Sequence, residues 1–211
     1  MHRTDRYKGL ALAAILASHP VAVVCDEIPV GSVVAFNTQC ARCHEGECSG
    51  RMSFHLAADA ADEHIRRHGG PLPVETVRDL GELLRYMKER CAFYPMPLAL
   101  AHDRRWDRGT LDLLRNVEGA AYFLPLGRLG PGVYRLRMDG LASGLRICPE
   151  LVAADFELVS HEVLTHDGGA QVLRFRMDEP AELFLRIRTP APAILSRVEL
   201  AAEGTGPSHA E

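Results

Sequence analysis

The sequence predicts an α+β chain: a small all-helical domain followed by an antiparallel β-sandwich or jelly-roll-like domain. Three observations predict it. Before about Phe93 apolar residues recur at helical steps, with Val77, Leu80, Leu84 and Met87 on one helix face. Beyond Asn116 the period falls to two, as in Val133-Tyr134-Arg135-Leu136-Arg137-Met138 and Val172-Leu173-Arg174-Phe175-Arg176-Met177. Turn signals at Gly130-Pro131-Gly132, Asp167-Gly168-Gly169 and Asp178-Glu179-Pro180 separate the alternating runs, the punctuation of a sandwich. At 211 residues and 47% hydrophobic content the chain can bury one or two modest cores. A net charge of -4 with no basic domain excludes a general nucleic-acid binder.

The first 25 residues predict an export signal. His2, Arg3, Arg6 and Lys8 form a positive start, Gly9 to Ala17 is apolar, and Pro20 breaks the run. The apolar stretch is too short for a membrane span, so membrane association is expected only through an uncleaved or lipidated amino terminus at Cys25. Residues 26–98 form the helical domain. Val33 to His44 is the first helix and Glu45 to Gly50 a turn-rich loop. Leu56 to His68 is the second helix, stopped by Gly69-Gly70-Pro71, and Glu75 to about Arg90 is the third. Residues 99–116 read as a linker, with a possible helix around Leu111 to Leu114. The sandwich is expected over 117–202, followed by a disordered tail over 203–211. Its strands are Ala121–Leu126, where Pro125 demands an edge or an end, then 133–138, 172–177, 183–188 and 193–200. This division implies that the chain from about Asn116 onward folds without the helical part.

The chemistry concentrates in Cys40-Ala41-Arg42-Cys43-His44. Two thiols on one helical turn can add across the two vinyl groups of a haem, and the following histidine then lies beneath the ring. This is the sequence signal for c-type haem attachment, and histidine is a common axial iron ligand. A Cys-x-x-Cys pair can also be half of a structural zinc site, which needs a second Cys or His pair. It can be a thioredoxin-like redox pair, which belongs after a strand in a βαβ unit, and no such unit surrounds it.

Val33-Val34-Ala35-Phe36-Asn37-Thr38-Gln39 leading into that motif resembles the haem-attachment segment of class I-like c-type cytochromes. Pro71-Leu72-Pro73-Val74-Glu75-Thr76-Val77-Arg78-Asp79-Leu80, running into Leu83-Leu84-Arg85-Tyr86-Met87, is similar to their closing helix. The likeness covers about residues 28 to 98. It implies one covalent haem c on Cys40 and Cys43, with His44 as proximal ligand, in an exported, periplasmic electron-transfer protein served by a redox partner protein. The family's methionine before the closing helix is missing, and His68-Gly69-Gly70-Pro71 stands there instead. The sixth iron ligand is therefore expected at His68, with His64 and then Met96 as substitutes; Met52 and His55 lie too near the motif.

In an oxidising compartment Cys48 and Cys91 form a candidate disulfide, which leaves Cys148 over. Arginines occupy alternate positions in three strands: Arg135 with Arg137, Arg174 with Arg176, Arg186 with Arg188. Alternation demands polar residues on a solvated face, so these are expected to face water; the functional alternative is a basic docking face for an acidic partner or an anionic glycan. The chain has no Gly-x-Ser-x-Gly, no phosphate loop and no catalytic carboxylate pair, and Asp155 with Glu157 or His161 with His166 has no site-like spacing. It is not expected to be an enzyme. Two alternatives stand beside electron transfer: a haem enzyme or gas sensor with an open or labile sixth position, and a scaffold whose sandwich binds carbohydrate or a partner.

Overall fold

The computed structural model describes residues 27–45, 59–142, 144–145, 147–161, 164 and 169–203. The expected export signal, the loop with Cys48, Met52 and His55, and the tail beyond Glu203 lie outside the described residues. The chain is α+β, with a few helices followed by two antiparallel sheets.

Helix α1 (Val30–Ala35) runs through a π-helical segment (Phe36–Cys40) into α2 (Ala41–His44). Helix α3 (Asp62–Gly69) follows the dipole rule, with Asp62 and Glu63 in its first turn and Arg66, Arg67 and His68 in its last. Gly70 ends it at φ 77°, a left-handed conformation that favours glycine. Helix α4 (Val74–Arg90) starts directly after Pro73 and ends at Cys91, which is disulfide-bonded. Cys48, the partner expected for it, lies outside the described residues. Val77, Leu80, Leu83 and Met87 are the buried face of α4; Leu83 takes the inward place that simple spacing gives to Leu84.

The strands are β1 (Arg105–Asp107), β2 (Ala121–Leu129), β3 (Gly132–Asp139), β4 (Cys148–Ala153), β5 (Leu158–His161), β6 (Ala170–Met177), β7 (Ala181–Arg188) and β8 (Arg197–Glu203). A short helix, α5 (Arg108–Leu113), follows β1 and is capped by the Asp107 carboxylate, which accepts from the Thr110 N–H. One sheet has the order β1-β8-β3-β6 and the other β2-β7-β4-β5. Pro125 sits on the edge strand β2, where the ladder to β7 shifts register between Pro125 and Gly127.

Three expectations are corrected here. The stretch 99–116 is more than a linker, because β1 pairs with β8 through Trp106 and Val198 and Trp106 is buried in the sandwich core. The last strand begins at Arg197 rather than 193 and runs to Glu203, which pairs with Arg174 instead of opening a tail. Strands β4 and β5 carry no clear alternation and were not predicted. In β4 every residue from Pro149 to Ala153 is buried, because both of its faces are covered.

That double cover organises the molecule. Leu151, Leu183, Leu185 and Ile187 point into the sandwich core. Their neighbours Phe123, Val152 and Phe184 belong to a second core with Val33, Phe36, Val77, Leu80, Leu83, Met87 and Phe93 from the helical part. Phe184 stacks on Phe123 at 5.0 Å and meets Phe93 at 5.3 Å. A fragment from Asn116 would lack β1 and α5 and would open this apolar face to water, so the independence implied by the change of period does not follow from the packing. Phe184→Ala should destabilise the full chain by about 3–5 kcal/mol, read as a fall in the urea midpoint at unchanged slope. A loss below about 1 kcal/mol would show that the shared core contributes little.

Candidate cofactor site

The site begins with a local irregularity. Asn37 donates from Nδ2 to the Val33 carbonyl at 2.9 Å, and Thr38 donates from Oγ1 to the Val34 carbonyl at 2.8 Å. Side chains that occupy carbonyls four residues back disturb the helical ladder, and the widened π segment lies over the same residues. Beyond it, Ala41 is buried in the helical core, while Cys40, Cys43 and His44 line a cleft.

The cleft encloses about 200 Å³ and is open on one side. Phe36 and Gln39 join the two cysteines and His44 on one side. Helix α3 contributes His64, Ile65 and His68, and α4 contributes Leu80 and Leu84. Sequence reasoning singled out the cysteines, His44, His64 and His68, and the structure brings all five to one cavity. Met96 does not line it; it packs where the helical and sandwich cores meet. Ser32 fixes the first wall against the third by donating to a buried Asp79 oxygen at 2.8 Å.

The histidines converge. The rings of His44 and His64 stand 6.0 Å apart, centre to centre, and those of His64 and His68 4.5 Å apart. Desolvation, and then the neighbouring His68, His44 and Arg67, hold the His64 pKa below the ordinary histidine value. The neutral ring, with a nitrogen lone pair to donate, is thereby favoured. Burial, and then the Cys43 thiol, push the Cys40 thiol up to about 11. Cys40, Cys43 and Cys148 are free thiols.

This donor set fits a covalently held haem. Two thiols one turn apart stand beside an imidazole, and a second imidazole stands across the cleft between apolar walls. Two imidazoles that share one metal ion stand at most about 6 Å apart at their centres, from metal–nitrogen bonds of ~2 Å and ring radii of ~1 Å, and His44 and His64 lie at that limit. Among the described residues no group of three or more His, Cys, Asp or Glu side chains is placed to hold a metal ion.

Sequence reasoning missed what lies behind the motif. Arg186, expected on a solvated face, is 1% exposed. It donates to Glu45, the residue after His44, and to Glu150 on β4. The other arginine pairs of that pattern, Arg135 with Arg137 and Arg174 with Arg176, do face water on the first sheet. A period of two shows which face a residue occupies but not what covers that face.

No protein-family model and no curated protein matches the chain. Among solved structures it is similar to BtGH115A, described as a family GH115 4-O-methyl-α-glucuronidase with specificity for decorated arabinogalactans. The identity is 14% and the TM-score 0.37, over 69% of this chain and 25% of that one. The chain thus spans a quarter of that enzyme's length. No helix of the described residues is long and apolar enough to cross a membrane.

The two thiols should differ in reactivity. A brief iodoacetamide pulse at pH 8, on protein with both thiols free, should label Cys43 well ahead of Cys40. A thiol at about 11 is only ~0.1% ionised there, and the thiolate is the nucleophile. Equal labelling, or Cys40 first, would contradict the burial described for Cys40.

Proposed function

We propose that this protein is an exported monohaem c-type cytochrome that transfers electrons in the periplasm. One haem c would be held through Cys40 and Cys43, with His44 as proximal ligand, and the helical part would be its c-type haem domain. The observation that carries this is the single apolar cleft that gathers both thiols of the Cys-x-x-Cys-His motif, its histidine and two further histidines from a separate helix. Haem bound there supplies a one-electron iron couple whose potential follows from axial ligands, burial and hydrogen bonds.

The chain's residues do the rest. Cys40 and Cys43 would be the covalent anchors, each thiol adding its sulfur to one carbon of a vinyl group and its hydrogen to the other. His44 offers an imidazole nitrogen from the helix that carries them, so anchors and ligand move as one rigid piece. Phe36, Ile65, Leu80 and Leu84 exclude water from the centre of the cleft. The sixth ligand, which the sequence places on His68, is supported better at His64, whose ring centre stands 6.0 Å from that of His44. Two histidine ligands give a lower potential than a histidine–methionine pair. They also leave no labile position, which favours electron transfer over a haem enzyme or gas sensor.

Two measurements test this reading. After acid-acetone extraction the haem should stay on the polypeptide; extractable haem, or zinc in its place, would end the reading. His64→Ala should convert the oxidised iron from low to high spin and admit carbon monoxide on reduction, while His68→Ala stays low-spin. The reverse result would return the ligand to His68, and no change in either variant would move it to Met96.

A further inference from the structure

We infer that Arg186, on the sandwich strand β7, positions the proximal side of this centre and holds its reduction potential up; this rests on the haem reading above. Arg186 lies behind the motif, on the face of α2 away from the cleft. Its guanidinium donates from one Nη to Glu45, next in the chain after His44. The other Nη donates to Glu150 at 3.2 Å, and the second oxygen of Glu150 lies 3.5 Å from Arg42, between the two motif cysteines. Arg42 and Glu45 bracket Cys43 and His44. Both are therefore tied, through one buried arginine and one buried glutamate, to the middle of the second sheet. The Phe93 ring lies 5.9 Å from the same guanidinium and helps to shut it from water.

For stability alone an apolar side chain would serve at this position about as well, since burying an ion pair costs much of what the attraction returns. The guanidinium adds direction and charge. It holds the Glu45 and Glu150 carboxylates in fixed places and carries a positive charge of its own. Arg188 is close enough for Arg42, Glu150 and Arg186 to act on it electrostatically. Among the described residues three guanidiniums then face two carboxylates. Among the described residues, Nε of Arg186 and Nε and Nη2 of Arg188 are buried without a hydrogen-bond partner. In a poorly screened interior a fixed positive charge beside the proximal histidine opposes the extra positive charge of oxidised iron. That raises the potential. It offsets part of the lowering that two histidine ligands impose.

The experiment measures reduction potentials of the haem-loaded full chain as wild type, Arg186→Met, Glu45→Gln and the double variant, after equal haem content is established by the pyridine haemochrome. Arg186→Met should shift the oxidised-to-reduced ratio about tenfold towards oxidised at a given ambient potential, which is ~59 mV downward. Glu45→Gln should shift it upward, and the double variant should return towards wild type. A packing role alone would move both single variants in the same direction. If Arg186→Met does not fold or load, the sign for Glu45→Gln decides. Unchanged or downward potential in Glu45→Gln overturns the inference while leaving the haem reading in place. Wild type without covalent haem removes both.

Discussion

Phe123, Val152 and Phe184 stand on one face of the second sheet and Leu124, Leu151 and Leu185 on the other, so strands β2, β4 and β7 keep no face for water. One face closes on the first sheet. The other must be closed by something else, and helices α1 and α4 with the Phe93 segment are what closes it. A sheet with one polar side would have left the helices only their own small core. The helical part here buries its apolar residues against a rigid surface and is aligned by it.

The cleft follows from that docking. Helix α4 lays Val77, Leu83 and Met87 into the shared core and turns Leu80 and Leu84 towards the cleft. The π segment in the first helix sends Ala41 inward and leaves Cys40, Cys43 and His44 at the opening. Arg42 and Glu45 reach back to Glu150 and Arg186 on the sheet. The motif thus has one side that offers thiols and imidazole to the cleft and another pinned by charge to the sheet. In this account the sandwich is the back wall of the centre rather than an appended module.

The two arginine patterns show how much of this was legible in the sequence. Arg135 and Arg174 alternate with apolar residues as Arg186 does, yet the first two face water and the third is buried. Local period fixes the face; only tertiary cover decides its environment. Strand β4 escaped notice for the same reason, because cover on both faces removes the alternation that marks a strand. Strand β1 escaped because three residues are too few for any period. The motif cysteines, His44 and the histidines of α3 were legible because their chemistry depends on residue type and close spacing. That His64 sets its ring 6.0 Å from His44 was not, since it depends on how α3 leans across the cleft.

The proposed function stands or falls on whether Cys40 and Cys43 carry one haem covalently. Intact-mass measurement of protein exported with the c-type maturation machinery, followed by peptide mapping, tests it most directly. One haem per chain is expected, on a single peptide that contains Cys40 through His44. An unmodified mass for that peptide, with both thiols open to alkylation in the exported protein, would contradict it.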